Sequence, residues 1–182
     1  MELAKNKIAL EPKKDIPTVT TTGKRLQTLI DGVHIHQQVT QQDARGTLTE
    51  IYSPFWAFDT IPLVYIYTVS VHPTKIKGWA VHYVQTDRYF FYAGSAKLVL
   101  YDSRPESSTY KLINELYFSE TNRSIILVPP HVYHAIQNVG TTEILLINFP
   151  SHVYQHDDPD KYTLSLDNHL IPYTFDSKIN LL

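Results

Sequence analysis

The chain has 182 residues and a formal net charge of −2, with 16 basic and 18 acidic side chains spread along it. This length suits one domain, the lack of a basic cluster gives no support for a nucleic-acid or membrane partner, and no apolar run reaches the roughly 20 residues of a transmembrane helix. The sequence contains no cysteine, which excludes disulfides and a thiol nucleophile, and its first residues lack the apolar core of a signal peptide, so we expect a cytoplasmic protein.

The first part of the chain combines a polar arm with a predicted strand. Residues 1–23 show little periodicity and are predicted to form an N-terminal arm that is mobile or docks on a partner subunit, ahead of a single domain over residues 24–182. Residues 32–39 alternate as a strand does, with His34 and His36 on one side. A solvated strand face is favoured over a metal site for this pair, because no third ligand lies nearby in the sequence.

A turn over residues 43–46 leads into the next predicted strand, residues 47–52. Gly46 permits the tight backbone of this turn, and Arg45 beside it could offer a guanidinium fork to a diphosphate. Arg45 could equally do no more than cap the turn. Glu50 shares the strand face of two apolar residues, so it is expected to contact either a ligand or a basic side chain.

The remainder of the chain predicts a succession of short strands. Residues 53–62 contain two prolines and are predicted to form a loop, whereas residues 87–102 read as a hairpin of two apolar strands around Gly94. Further strands are predicted over residues 63–70, 110–118, 124–128, 134–139 and 143–149. Turn signals separate these strands and no convincing amphipathic helix appears, so the sequence predicts a closed all-β architecture.

Polar side chains directed into the predicted barrel come from residues 78–138. Strand alternation places Ala80 and His82 on one face, and Asp87 follows His82 after five positions. His134 follows a pair of prolines, and packing of the strands face to face would bring it close to the other two polar residues. Structural roles remain open here, because His82 could be a hydrogen-bonded core histidine and Asp87 could pair with a neighbouring basic residue.

These residues resemble the two-part sequence pattern of the cupin superfamily. The first part corresponds here to Gly78, Ala80, His82, Asp87 and Gly94, and the second to Pro129, His131, His134 and Asn138. Two positions depart from the pattern, since alanine stands where the first histidine is expected and His131 replaces a glycine. The resemblance implies a jelly-roll barrel, the double-stranded β-helix fold.

Within the cupins, the chain most resembles the dTDP-4-dehydrorhamnose 3,5-epimerase (RmlC-like) family. The matching pieces span residues 30–175 and are Asp43-Ala44-Arg45-Gly46 with Glu50, Lys77-Gly78-Trp79, the Gly94 turn that leads to Tyr101-Asp102, and Val128-Pro129-Pro130 with His134. The family implies a barrel, usually dimeric, that binds a nucleotide-linked 4-keto-6-deoxyhexose without a metal or other cofactor. It also implies a place in bacterial surface-polysaccharide or related glycan synthesis.

The resemblance assigns substrate-binding residues by position. Arg45 matches an arginine that contacts the nucleotide diphosphate, and His134 matches a histidine that lines the sugar pocket. Lys77 replaces a second arginine, which keeps the charge and loses the bidentate fork. With Glu50, these are the predicted substrate-binding residues.

The catalytic positions depart most from the family. Its base falls on Ala80, which cannot accept a proton, so His82 on the same strand face is the candidate base; related cupin ketoisomerases carry a histidine pair whose second member aligns with His82. The family's strand tyrosine, which acts as a general acid, has no match, and Tyr154 is the nearest candidate. Asp167 is the candidate for the acidic residue that orients the base.

Three hypotheses follow from these residues. The first is a homodimeric nucleotide-sugar epimerase or ketoisomerase that uses His82 as its base. The second is a metal-dependent cupin in which His82, Asp87 and His134 hold a divalent ion with open positions for substrate or O₂. The third is a non-catalytic cupin that binds a sugar nucleotide, a reading supported by Ala80 at the position of the family's base.

Overall fold

The computed structural model describes residues 12–176, and antiparallel strands dominate this part of the chain. The strands are β1 (His34–Gln37), β2 (Thr40–Asp43), β3 (Gly46–Thr49), β4 (Tyr67–Val71), β5 (Ile76–Val81), β6 (Asp87–Ala93), β7 (Ala96–Asp102), β8 (Ile113–Phe118), β9 (Ser124–Val128), β10 (Val132–Asn138), β11 (Ile144–Asn148) and β12 (Tyr162–Thr163). Within the described residues the single helical element is a 3₁₀ turn over Pro54–Trp56. That turn is too short to span a bilayer, and no other described segment forms a membrane-spanning helix.

Ten of the strands form two five-stranded sheets. The order is β1-β9-β6-β11-β4 in the first sheet and β12-β5-β10-β7-β8 in the second, while β2 and β3 pair separately as a hairpin. The inner faces of the two sheets meet in one apolar core, which includes Phe91, Leu98, Leu100, Leu116 and Ile126. The all-β prediction is therefore confirmed.

The central strands are buried on both faces, which explains their continuous apolar sequence. All seven residues of β7 are buried, because its inner face enters the core and its outer face lies under the C-terminal segment. That segment places Ile171, Tyr173 and Phe175 against the fully buried Trp79. A third cluster, in which Phe90, Ile125 and Phe149 pack with Ile51, Tyr52 and Phe58, covers the outer face of the first sheet.

The predicted hairpin over residues 87–102 is wrong in its pairing. Both strands exist at the expected place, but β6 pairs with β9 and β11 whereas β7 pairs with β10 and β8. The turn at Gly94 therefore passes the chain from one sheet to the other. Gly94 has φ +81°, and a Cβ there would lie 2.5 Å from the Glu143 carbonyl oxygen, so only glycine fits this corner.

The ends of the predicted domain are described in part. Residues 12–23 belong to neither sheet and are almost all exposed. Residues 1–11 of the predicted arm and residues 177–182 of the predicted domain lie outside the described part of the chain. The boundary near residue 23 and the docking of the arm on a partner stay predictions.

Candidate active site

A cavity of about 520 Å³ opens between the two sheets. Its wall combines two histidines, two lysines and four tyrosines with apolar residues. The lining residues are Tyr65, Tyr67, Val69, Lys77, Gly78, Ala80, His82, Gln85, Tyr89, His134, Ile136, Tyr154, Lys161 and Thr163. A concave, partly apolar chamber with a few polar groups is the usual form of a small-molecule site.

Strand β5 presents Lys77 and Ala80 to the cavity, and His82 directly after the strand faces it too, although plain alternation would turn Lys77 away. The reason is a bulge against β10, where His134 pairs with Ala80 but Ile136 pairs with Lys77. Two residues along β10 therefore pair with three residues along β5. The extra residue on β5 brings Lys77 and Ala80, which would otherwise lie on opposite faces, to the same face.

Gly78, inside this bulge, allows β5 and β10 to approach closely. Its φ is +141°, and a Cβ at this position would lie 2.5 Å from the Ala135 side chain. No other amino acid fits that space without displacing β10, so Gly78 fixes the path of the strand that carries His82.

The Asp87 carboxylate lies behind the cavity wall, because its residue is only 1% exposed and contacts the two histidines that line the cavity. Its Oδ1 accepts hydrogen bonds from Gln85 Nε2 and Asn148 Nδ2, each at 2.8 Å. Its Oδ2 accepts a hydrogen bond from the Tyr89 hydroxyl at 2.7 Å and lies 3.2 Å from His82 Nε2. So many donors around one carboxylate hold it ionised in spite of its burial.

Two imidazoles face this carboxylate oxygen from neighbouring strands. His82 Nε2 is 3.2 Å and His134 Nε2 is 3.7 Å from Asp87 Oδ2, and the rings stack with centroids 5.6 Å apart. The far side of each ring is held by backbone: His82 Nδ1 donates to the Asp160 carbonyl, and His134 Nδ1 lies 3.3 Å from the Val132 carbonyl. Both rings therefore present Nε2 to the site.

The environment shifts the pKa values of these groups in different directions. Burial lowers the pKa of His82, but the Asp87 carboxylate and the Asp160 carbonyl outweigh it, so the net pKa lies above its ordinary value. Burial lowers the pKa of His134 and prevails over the opposing attraction of Asp87. Burial raises the pKa of Asp87, but its donors and the two histidines prevail and bring it well below the usual range. His82 is thus the imidazole that more readily accepts a proton.

Asp160 anchors the strand end that carries His82, and sequence reasoning missed it. Its carboxylate accepts hydrogen bonds from three consecutive backbone N–H groups, those of Tyr83, Val84 and Gln85, at 2.8–2.9 Å. Burial raises the pKa of Asp160, but these N–H groups outweigh it and lower the net pKa. The acidic run around Asp160 was the available signal, but nothing in its spacing indicates a partner 75–77 positions earlier.

The structure does not bring the predicted orienting residue, Asp167, to the site. Asp167 is exposed, accepts a hydrogen bond from the Ser165 hydroxyl and does not line the cavity. The ring nitrogens of His82 are instead contacted by Asp87, by the Asp160 carbonyl and by Gln85 Nε2, which lies 3.4 Å from His82 Nε2. The expectation that Asp167 orients the base is corrected accordingly, because its carboxylate is exposed and bonded to Ser165 and not to His82.

The substrate-binding predictions divide into two groups. Lys77 and His134 line the cavity, whereas Arg45 and Glu50 do not. The Arg45 side chain is 90% exposed and pairs with Asp43 at 2.6 Å within the β2–β3 hairpin. Glu50 is exposed just beyond the same hairpin. Within one copy of the described chain, the diphosphate role predicted for Arg45 is therefore not supported by proximity to the cavity.

Four tyrosines line the cavity, and two of them, Tyr154 and Tyr67, bear on the choice of a catalytic acid. Tyr154, the predicted acid, lines the cavity, is 40% exposed and packs edge-on against His156. Tyr67 also lines the cavity, and its hydroxyl accepts a hydrogen bond from Asn148 Nδ2 at 2.8 Å. Tyr67 was not singled out from the sequence, because it reads as an ordinary strand residue.

The fold and the site together define a cupin-type barrel, with a cavity built on a buried carboxylate and two histidines. The family model described as "Polysaccharide biosynthesis C-terminal domain" matches residues 41–162. That match covers more than half of the chain, and the chain belongs to this family.

Two relatives match most of the chain. It is 29% identical over 153 residues to the spore coat polysaccharide biosynthesis protein SpsL of Bacillus subtilis (strain 168), with 82% of this chain and 99% of the relative covered. It is 27% identical over 140 residues to the probable low-salt glycan biosynthesis epimerase Agl13 of Haloferax volcanii, with 76% and 89% covered.

Solved structures with the same fold include two sugar-nucleotide proteins. A dTDP sugar isomerase from Desulfovibrio desulfuricans G20 superposes with a TM-score of 0.74 at 20% identity, covering 80% of this chain and 91% of the other. A dTDP-4-dehydrorhamnose 3,5-epimerase from Bacillus anthracis superposes with a TM-score of 0.71 at 18% identity, covering 81% and 87%. The predicted RmlC-like cupin jelly roll is thereby confirmed.

Proposed function

We propose that this chain is an epimerase or ketoisomerase of a nucleotide-linked 4-keto-6-deoxyhexose and serves polysaccharide or related glycan synthesis. The observation that carries the proposal is a cavity-lining imidazole, His82, with one nitrogen fixed by the Asp160 carbonyl and the other beside the Asp87 carboxylate. Membership of a polysaccharide biosynthesis family supports the pathway, and the names of the structural neighbours support the substrate class.

His82 has the geometry of a base for carbon acids. The hydrogen on a carbon beside a ketone leaves as a proton, and its bonding pair moves towards the carbonyl oxygen to give an enolate. When Nε2 accepts that proton, the imidazolium lies 3.2 Å from the Asp87 carboxylate and is stabilised by it. A positioned base of this kind typically contributes about 10²–10⁴-fold to the rate.

The cavity also suits an anionic nucleotide sugar. Lys77 and Lys161 both line it, and within the described residues neither ammonium lies within 4.0 Å of a carboxylate. Two ammonium groups without an internal counter-ion favour a diphosphate ligand. We therefore retain Lys77 as a proposed substrate-binding residue and add Lys161 to it.

Solvent exchange tests this proposal directly. Purified protein is incubated with dTDP-4-keto-6-deoxyglucose in D₂O, and NMR should find deuterium at C3 or C5 of the sugar. His82→Asn should abolish the label, while His169→Asn, at an exposed histidine outside the cavity, should retain it. If no label enters this sugar or its UDP and GDP counterparts, the proposal is overturned; tight nucleotide binding without exchange would then identify a non-catalytic binding protein, as Ala80 suggests.

A divalent metal at His82, Asp87 and His134 is the second candidate. One donor atom from each lies within 4.8 Å of the others, and both histidines have backbone carbonyls at Nδ1, as metal-ligating histidines commonly do. These residues fit a metal that would act as a Lewis acid on the substrate carbonyl. Tyr89, Gln85 and Asn148 already donate to the same carboxylate, however, so a metal must displace or share those bonds. Elemental analysis of purified protein, with activity measured before and after chelation, decides between the two.

We further infer a cytoplasmic homodimer. The β2–β3 hairpin stands apart from both sheets and exposes Leu48 at 61%, and the loop after it exposes Phe55 at 95%. Contact with a second copy would cover these side chains and could bring Arg45 to a cavity that it does not reach within its own chain. Light scattering on a size-exclusion column should give twice the monomer mass, and Leu48→Lys with Phe55→Lys should reduce it to that of a monomer.

A further inference from the structure

A hydrogen-bonded chain connects the buried Asp87 carboxylate to Tyr67, a side chain that lines the cavity. Asn148 Nδ2 donates to Asp87 Oδ1 and to the Tyr67 hydroxyl, each at 2.8 Å. The Asn148 Oδ1 atom accepts the Arg88 backbone N–H at 3.1 Å, which fixes the orientation of the amide. Tyr67 is therefore held in place by the same network that holds the Asp87 carboxylate.

Tyr67 and His82 reach the cavity from opposite sheets. Tyr67 opens β4 in the first sheet, directly opposite Asn148 of β11, whereas His82 follows β5 of the second sheet. A sugar ring between the two sheets would have one face towards each side chain. Inversion by two separate groups uses this arrangement, because one group takes a proton from one face of the carbon and the other gives a proton to the opposite face.

The Tyr67 hydroxyl is also free to give a proton. Its oxygen accepts the bond from Asn148, and within the described residues its own hydrogen has no acceptor. Burial and the nearby Asp87 carboxylate raise the pKa of Tyr67 to about 12, so the hydroxyl stays protonated at neutral pH. The neighbouring Tyr89 lacks this freedom, because it already donates to Asp87.

Tyr154 is less well placed for the same task. It is 40% exposed, its ring packs edge-on against His156, and within the described residues its hydroxyl has no hydrogen-bond partner that would fix it. A group that protonates one face of a carbanion gains most when its position is set before substrate arrives. Tyr67 meets that condition through Asn148.

We propose that Tyr67, positioned by Asn148, is the acid that protonates the sugar carbon on the face opposite His82; this rests on the proposed function. In the forward step His82 Nε2 takes the carbon-bound proton and the electron pair forms the enolate. The enolate carbon then takes the hydroxyl proton of Tyr67, which leaves an imidazolium at His82 and a tyrosinate at Tyr67. Solvent returns one proton to the tyrosinate and removes one from the imidazolium, so no other reactant is needed.

The test separates proton removal from inversion. Tyr67→Phe should still exchange the carbon-bound hydrogen of dTDP-4-keto-6-deoxyglucose with D₂O through His82, but inverted product should fall by about 10²–10⁴-fold. Tyr154→Phe should retain at least ten times more inversion than Tyr67→Phe. Tyr92→Phe, which removes an exposed hydroxyl outside the cavity, is the matched control and should behave as the unaltered chain.

Each outcome of this test is decisive. If the unaltered chain inverts the carbon, exchange without inversion in Tyr67→Phe supports the assignment, whereas exchange without inversion in the unaltered chain overturns it. Inversion within about threefold of the unaltered chain, or a larger loss in Tyr154→Phe, overturns it while the proposed function stands. If the unaltered chain shows neither exchange nor inversion, the proposed function fails and the assignment fails with it. Circular dichroism before and after thermal unfolding confirms that the Tyr67→Phe chain is folded.

Discussion

Asp87 Oδ2 lies 3.2 Å from His82 Nε2 and 3.7 Å from His134 Nε2, so one buried carboxylate oxygen faces both imidazoles. The pKa values of the two rings nevertheless shift in opposite directions, because burial prevails at His134 and the contacts with Asp87 and Asp160 prevail at His82. The environment thereby divides the pair into His82, whose pKa is raised, and His134, whose pKa is lowered.

Removing the charge of Asp87 should change the pH dependence of turnover. A base works in its neutral form, so the rise of kcat/KM with pH marks the pKa of His82, which Asp87 keeps above its ordinary value. Asp87→Asn should move this rise to lower pH and reduce kcat by about tenfold or more. The exposed Asp157→Asn serves as the control. An unchanged pH profile in Asp87→Asn would show that Asp87 does not set the basicity of His82.

The pH dependence of stability should report His134. Its pKa is lowered in the folded chain, so its contribution to stability is present above the unfolded value of about 6.5 and is lost as pH falls below it. Asp87 opposes this shift, while His82 and Lys161 add to the lowering caused by burial. The melting temperature of the unaltered chain should therefore drop more between pH 7.5 and pH 5.5 than that of His134→Gln. Parallel curves would mean that His134 binds protons equally in the folded and unfolded states.

Two glycines with almost the same φ separate the cost of strain from the cost of close packing. Gly78 and Gly46 have φ of +141° and +146°, but a Cβ would meet Ala135 at 2.5 Å in the first and nothing within 4 Å in the second. Gly46→Ala should lose about 1–3 kcal/mol of unfolding free energy from strain, and Gly78→Ala about 1–3 kcal/mol more from overpacking. Urea denaturation measures both. Equal losses would contradict the close approach of β5 and β10.

Asp160 and Asp167 offer a matched comparison of acidic residues near the C-terminal end. Asp160→Ala removes the carboxylate that accepts three N–H groups after His82, so His82 should become mobile and kcat should fall by about 10²-fold. Asp167→Ala removes an exposed carboxylate bonded to Ser165 and should change kcat little. NMR of the His82 ring nitrogens should show a shifted pKa in the first variant only. The reverse result would restore Asp167 as the orienting residue.

The fold was accessible from the sequence because its strands carry the signal locally. The apolar runs at β6, β7 and β9 and the turn residue Gly94 predict strands at the correct places. The pairing of β6 with β7 was wrong because strands buried on both faces carry no alternation that assigns them to a sheet. The order of the sheets depends on contacts far apart in sequence, which local patterns do not contain.

The site was accessible in part for the same reason. His82, Asp87 and His134 were found because alternation and the cupin resemblance place them on inward faces. Tyr67 and Asp160 were missed because each acts through a partner 75 to 81 positions away, Asn148 for Tyr67 and the end of β5 for Asp160. No residue spacing reports such a partner, and it appears only once the strand register is known.

A crystal structure of the protein with a dTDP-linked 4-keto or deoxy sugar would show whether His82 can reach a reacting carbon. We expect the pyranose in the cavity, with C3 or C5 about 3–3.5 Å from His82 Nε2 and the Tyr67 hydroxyl on the opposite face of the ring. A ligand bound elsewhere, or a pyranose whose C3 and C5 both lie beyond reach of His82, would contradict it.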